Sequence, residues 1–474
     1  MHMDSPEHKL LTLPTIPFTA HSGHNGSQND PRTAPLSRWQ RLGLIVFLIA
    51  WILFGGLVEL RSALLSRRMG DLDCFLRAAW AVRSGADLYS VTDDNGFHYN
   101  YPPFFAILLT PLADPPAGAD RASMLPFAVS VAIAYVLNLI LLLLAVHWLA
   151  SALEQTIPGW ARRPRWTAAW WGLRIGPILL CAVPLGHTLM RGQANVVVLA
   201  FVCAGLAAIL RGRSFRGGFW LAGAIAIKIF PAFLLLFPLW RRDRRCLLGC
   251  AAGLALTLLL IPVLTLGPDR TTYCYARLVD VLILPGLGGG IDKTRAEELT
   301  NTTATDSQSL LAVCHKTIYL NPGNRPAQAS TAVRLTTTAV GLAMTLVTLL
   351  AAGWKPSRDP VAVTCLLGCL VLNMLLLCPV CHLHYFSLAV PLVMALLAAR
   401  WQASPTLGAG WVALGVFETV ANVLPNLPDM GLVKDAGLAM YAAVLLWLLG
   451  VVTLRRRAGN SMANIAAEPA ARAA

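Results

Sequence analysis

Leu42-Gly-Leu-Ile-Val-Phe-Leu-Ile-Ala-Trp-Ile-Leu-Phe-Gly-Gly-Leu-Val-Glu-Leu60 carries a single ionisable side chain, Glu59. As a helix it rises about 28 Å, close to the ~30 Å hydrocarbon core of a bilayer. Arg38 and Arg41 precede it, and no small-residue cleavage site follows, so it reads as an uncleaved first span with a cytoplasmic N-terminus. Runs of the same kind recur at Met124–Leu149, Arg174–Leu189, Ala194–Leu210, Leu247–Leu266, Ala332–Ala352, Val361–Leu377, Tyr385–Ala399, Gly408–Leu424 and Gly437–Leu454. The chain is 56% apolar and 13% charged, far from a soluble composition. Helices satisfy their own backbone groups in lipid, and the alternation a membrane barrel needs is absent. The expected fold is an all-α, polytopic transmembrane bundle of roughly ten full spans plus re-entrant or interfacial segments.

The formal charge of +14 is spread in short Lys/Arg clusters between apolar runs, which set topology rather than bind nucleic acid. Arg162, Arg163 and Arg165, then Arg211, Arg213 and Arg216, then Lys355 and Arg358, Arg400, and Arg455, Arg456 and Arg457 all fall on the cytoplasmic side of one consistent threading. Gly217–Trp240 has basic clusters at both ends and so reads as a hairpin that enters and leaves on that side, with Lys228 and Pro231 near its bend. Phe104–Leu112 is too short to cross and reads as interfacial or re-entrant. Residues 1–40 read as a disordered cytoplasmic tail, 41–457 as the membrane domain with outer loops at 65–123 and 267–331, and 458–474 as a cytoplasmic C-terminal tail. The expected setting is a bacterial inner membrane.

The threading makes a second statement. Asp71, Asp73, Tyr99, Asn100, Tyr101, Gln193, Asn195, Asp306, Gln308, His382 and His384 all fall at outer loops or outer helix ends, where an acid, imidazoles and amides suit a polar substrate presented by a lipid. Gly70–Gly85 reads as an amphipathic surface helix with Leu72, Phe75, Leu76 and Ala79 on one face. Asp71 at its start is read as an N-cap or as a general base, and Asp73 with Arg77 as an exposed i,i+4 pair. Gln193 and Asn195 cap a helix or bond across helices; Lys228 is expected to snorkel to the cytoplasmic surface. Cys274 and Cys314 share the long loop and are able to pair if it is periplasmic. Cys378-Pro-Val-Cys381-His382 matches the short pattern of c-type haem attachment, or a redox pair.

Asp71-Leu-Asp-Cys-Phe, Gly85-Ala-Asp-Leu-Tyr89, Tyr99-Asn-Tyr-Pro-Pro-Phe104, Gly192-Gln-Ala-Asn195, Ile227-Lys-Ile-Phe-Pro231, Ser307-Gln-Ser-Leu310 and His382-Leu-His-Tyr385 together resemble glycosyltransferase family 87 over about residues 40–400. The resemblance implies a GT-C fold and an inverting single displacement from a polyprenyl-phosphate-linked sugar, mannose in the best-known members. Carried over, Asp71 is the catalytic base, and His382 or His384 stands near the donor phosphate or the acceptor. Asp73, Tyr101, Gln193, Asn195, Gln308, His382 and His384 would bind substrate. Two departures bear on the donor sugar: Phe75 where Tyr is frequent, and Cys378-Pro-Val-Cys381 where a Ser-Pro-x-Trp-like stretch is usual. The donor is lipid-linked, so no nucleotide loop, cofactor or metal is called for; the expected partners are the donor, a lipid or glycan acceptor and membrane lipid. The rival readings are a transporter or lipid-linked-sugar flippase, which expects ionisable pairs at the midplane and an internal repeat, and an inactive lipid-sugar-binding assembly partner.

Overall fold

The computed structural model describes residues 35–473 apart from 67, 162–163, 287–300, 304–305 and 405–407, with side chains described as far as 458. Most of the expected N-terminal tail, and Arg162 and Arg163, lie outside the described residues. Among those described the regular elements are helical, and the β-type pairings are isolated bridges.

The first span forms α1, Arg38–Leu65, opened by a capping box in which Ser37 and Gln40 satisfy each other's backbone N–H. Then come α2 (Asp71–Ser84), the short α3 (Pro103–Leu108) and α4 (Phe127–Thr156). The next run is broken into α5 (Ala168–Leu180) and α6 (Ala182–Arg191), bent by 66°. Pro184 explains the break, since it has no N–H for the Leu180 carbonyl and its ring crowds the preceding turn. The remaining elements are α7 (Asn195–Leu210), α8 (Ser214–Ile227), α9 (Leu236–Trp240), α10 (Arg244–Leu266), α11 (Pro268–Leu278), α12 (Leu310–Ile318), α13 (Thr331–Ala352), α14 (Pro360–Leu377), α15 (Leu383–Ala403), α16 (Ala409–Val423) and α17 (Leu438–Ala473).

Seven helices are long and apolar enough to cross a membrane, or eight if the bent α5–α6 pair is one span. The expected ten are not reached by this measure: the runs at 194–210 and 408–424 became α7 and α16, of 16 and 15 residues. The hairpin over 217–240 is seen as α8, a break at Lys228, a 3-10 turn holding Pro231, and α9. The loop after Gly267 is partly helical, through α11 and α12.

Burial grades the bundle. The most apolar window of α14 is 94% buried, that of α1 only 6%, which makes α14 the axis and α1 a lipid-facing edge. Around α14 pack α13, α15 and α17, while α4, α7, α8 and α10 form a second row. Within it α8 and α10 cross almost backbone to backbone: a Cβ on Gly218 would meet the Cys246 carbonyl at 1.8 Å, and one on Gly249 the Phe215 carbonyl at 1.9 Å. At one end the basic clusters gather. Arg241 donates to Ser357 O (2.9 Å), Trp240 to Gly353 O (3.1 Å), and Arg457 stands 3.5 Å from Asp359.

Helix α2 corrects one expectation. Nine of its fourteen residues are buried, Arg77 and Ala81 among them, so it is packed all round rather than laid on a surface. Tyr99 and Phe105 pack edge-on against its Phe75, and Arg270 donates to the Ala81, Val82 and Ala86 carbonyls at its C-terminal end. Gly85 ends it in the left-handed conformation, as the sequence suggested. All eleven cysteines are free, so neither Cys274–Cys314 nor Cys378–Cys381 is bonded.

Candidate active site

The site forms where the N-terminus of α2 meets the C-terminus of α6. Gly70, not Asp71, is the N-cap of α2, and Asp71 is its first helical residue. Its Oδ2 accepts a 2.6 Å hydrogen bond from Arg191 Nε in the last turn of α6. Gly192 permits this approach: it has φ +64°, and a Cβ there would fall 2.5 Å from Leu72 Cβ. Asp71 remains a quarter exposed and Arg191 two-fifths exposed, so the pair faces open space.

Beneath it lies a buried cation. Lys228 is 1% exposed; its Nζ donates to Gln193 Oε1 at 3.0 Å and Asn195 Oδ1 at 2.8 Å. The rings of Tyr385, Tyr101 and Phe230 surround it at 4.5, 5.2 and 5.5 Å. Lys228 therefore does not snorkel; the break after α8 turns it into the bundle, where two amide oxygens are fixed to receive it. Gln193 and Asn195 bond across helices rather than cap one. Tyr101 is set by Tyr89, whose hydroxyl donates to the Tyr101 carbonyl (3.0 Å), and by edge contacts with Phe75 and Tyr99. Burial and the charge of Asp71 beside it raise its phenol above the usual tyrosine range.

On the far side of Arg191 stand the imidazoles. His382 Nδ1 is 3.0 Å from Asp306 Oδ2, and the His382 and His384 rings stack at 5.4 Å. Burial pushes the Asp306 carboxyl up, but His382 and Arg191 outweigh it and hold it below the usual carboxylate range. A bridge between Ser307 and His382 ties the loop to the start of α15, with Gln308 N donating to Cys381 O at 2.6 Å. The His384 carbonyl accepts from Thr188 (2.9 Å) and Asn195 (3.0 Å), while the buried His384 Nε2 has no hydrogen-bond partner among the described residues.

Two expected residues point elsewhere. Asp73 turns back to the N-terminus of its own helix, where Met69 N donates to both carboxylate oxygens at 3.0 Å. It does not pair with Arg77, which is buried and reaches Asp94 at 3.0 Å instead. Gln308 donates from its amide to the Lys434 carbonyl (2.9 Å). Arg191 and Lys228 were missed as site residues. The available signal for Arg191 was its place directly before Gly192-Gln-Ala-Asn195.

A multi-pass helical membrane protein with an acid, a guanidinium and paired imidazoles at one end of its bundle is the class these observations define. Residues 99–379 match the model of glycosyltransferase family 87, more than half the chain, and the protein belongs to that family. The matched stretch holds Tyr101, Gln193, Asn195, Lys228 and Gln308; Asp71 and Asp73 lie before it, and His382 and His384 just after it.

Among curated relatives, a polyprenol-phosphate-mannose-dependent alpha-(1-2)-phosphatidylinositol mannoside mannosyltransferase of Mycobacterium tuberculosis is 30% identical over 251 residues, 50% of this chain and 52% of that one. Its counterpart in Mycolicibacterium smegmatis is 31% identical over 197 residues, 38% of this chain and 41% of that one. The chain thus spans about half the length of these two or less. A polyprenol-phosphate-mannose-dependent alpha-(1-2)-phosphatidylinositol pentamannoside mannosyltransferase of Mycolicibacterium smegmatis is 25% identical over 449 residues, 90% and 95% of the two chains. Among solved structures, ArnT from Cupriavidus metallidurans bound to undecaprenyl phosphate aligns with TM-score 0.40 and 15% identity, over 87% of this chain and 77% of that one.

Proposed function

We propose that this protein is an inverting glycosyltransferase that moves mannose from a polyprenyl-phosphate donor to a lipid or glycan acceptor, at the outer face of a bacterial inner membrane, with ten spans and both termini cytoplasmic. The observation that carries this reading is the Asp71–Arg191 pair: a partly exposed carboxylate held, among the described residues, on one oxygen, at the end of the bundle opposite the basic clusters. The acceptor hydroxyl attacks the anomeric carbon, its proton passes to Asp71, and the bond from that carbon to the phosphate oxygen breaks with its electron pair retained by the phosphate. The departing phosphate is an anion that needs charge stabilisation more than a proton, a role for Arg191 and His382. Tyr101, Gln193, Asn195 and His384 shape the floor, with Lys228 fixing the two amides from below. Relatives named for polyprenol-phosphate-mannose dependence support the donor class.

The test is transfer from radiolabelled polyprenyl-phosphate-mannose to a crude lipid extract in membranes containing the chain, with sugar flux across sealed vesicles followed in parallel. Labelled acceptor lipid of inverted anomeric configuration, without flux, is expected. Lipid-linked sugar crossing the bilayer with no glycosidic product would identify a flippase instead.

A further inference from the structure

Helix α15 begins beside His382 and carries Arg400 in its last turn. Its 21 residues put about 30 Å between the candidate active site and Arg400. At that far end a cavity of about 870 Å³ opens between Trp160 just beyond α4, Arg400 and Gln402 of α15, Trp411 of α16, and Arg456 and Arg457 of α17. Its lining includes three guanidiniums and no carboxylate. Arg457 has Asp359 at 3.5 Å, whereas Arg400 and Arg456 have no carboxylate partner among the described residues. Arg400 Nε and Gln402 Oε1 are both buried without a hydrogen-bond partner among the described residues.

An arginine that merely sets topology reaches outward and keeps its whole head in water or among headgroups. Here three converge on one space from two helices, and among the described residues only Arg457 has a carboxylate beside it. A buried donor left unpaired is a standing cost that an acceptor entering the cavity would recover. We infer that the cavity is a binding site for a phosphoryl anion, distinct from the active site. The guanidinium fork matches phosphate oxygens in pairs. The helix ends and the two tryptophans place the cavity at the level of the headgroups, where basic pockets between spans hold anionic lipid. A phospholipid headgroup and free phosphate share the recognising chemistry, and the test separates them.

The full chain is delipidated in detergent, offered mixed micelles of phosphatidylglycerol and phosphatidylcholine, and the lipid retained is read by native mass spectrometry. At about 1 kcal/mol per arginine, wild type should prefer phosphatidylglycerol by at least about tenfold, and Arg400→Gln/Arg456→Gln should lose the preference. Arg456 is exposed, so Arg456→Gln alone leaves the packing intact and should lower the preference several-fold even if the double variant fails to fold. Displacement of the lipid by millimolar inorganic phosphate assigns the site to the phosphate group alone; resistance to it assigns the site to the lipid. Equal retention of the two lipids by wild type, or an unchanged preference in Arg456→Gln, overturns the inference.

Discussion

Arg191 Nε donates to Asp71 Oδ2 at 2.6 Å, joining two helix ends that lie 120 residues apart in the chain. Each charge sits at the helix end that favours it. Asp71 occupies the first turn of α2, where the dipole is positive, and Arg191 the last turn of α6, where it is negative. The pairing orients both groups, and the second carboxylate oxygen, Oδ1, has no hydrogen bond among the described residues.

Removing the guanidinium should therefore misplace the base without unfolding the protein. Arg191→Ala is expected to lower the transfer rate about 10- to 100-fold, with Arg191→Lys in between because an ammonium keeps the charge but not the fork. Initial rates in proteoliposomes check this. A wild-type rate in Arg191→Ala would show that Asp71 does not need its partner.

Asp73 provides the contrasting case. Burial, with Asp93, Asp114 and Asp94 adding to it, outweighs the Met69 N–H and holds its carboxyl up at about 7. The folded chain then binds this proton more tightly than the unfolded chain does. Its contribution to stability is full below about pH 4, is lost as pH rises toward 7, and changes little above. Asp73→Asn should flatten the pH dependence of melting between about pH 5 and about pH 7, while transfer at neutral pH stays near wild type. Melting curves of the detergent-solubilised variant across that range decide it.

Gly192→Ala should be costly in a way that trimming its neighbour does not repair. The left-handed backbone costs a non-glycine residue about 1–2 kcal/mol, and the clash adds more, for a total of about 2–4 kcal/mol. The closest atom is Leu72 Cβ, which Leu72→Ala retains. The double variant should therefore melt no higher than Gly192→Ala, and a recovered melting temperature would place the contact elsewhere.

The helical, membrane-spanning class was legible because length and hydropathy decide it, although the count of ten was not reached by helix length. The threading put Asp71, Tyr101, Gln193, Asn195, His382 and His384 on one face, and the structure brings them together. Tertiary placement was not legible. Lys228 reads as a snorkelling lysine because an apolar run flanked by arginines looks the same whether its lysine turns outward or inward. Only Gln193 and Asn195, more than thirty residues earlier in the chain, determine the direction. Asp71 and Asp73 are equally acidic in the sequence, and it is the fold that gives one to Arg191 and the other to the Met69 backbone. Helix α2 hid its burial because alanines at 78, 79 and 81 carry little hydrophobic signal yet pack closely.

The Lys228 network makes an asymmetric prediction. Lys228→Met removes the buried charge together with its partnering and should cost about 1–3 kcal/mol for the two amide oxygens left behind. Gln193→Ala/Asn195→Ala leaves the ammonium buried and unpaired, and should cost more, about 3–5 kcal/mol. Melting temperatures of the two variants in one detergent give the order. The reverse order would mean that the aromatic rings, rather than the amides, hold the lysine.

The most direct measurement compares transfer from labelled polyprenyl-phosphate-mannose by wild type, Asp71→Asn and Asp73→Asn in the same membranes. Asparagine keeps the size of aspartate and an oxygen for Arg191, yet it cannot take the acceptor's proton. Transfer should fall by about two orders of magnitude or more in Asp71→Asn and persist in Asp73→Asn. Equal transfer by wild type and Asp71→Asn would contradict the assignment of Asp71 as the base.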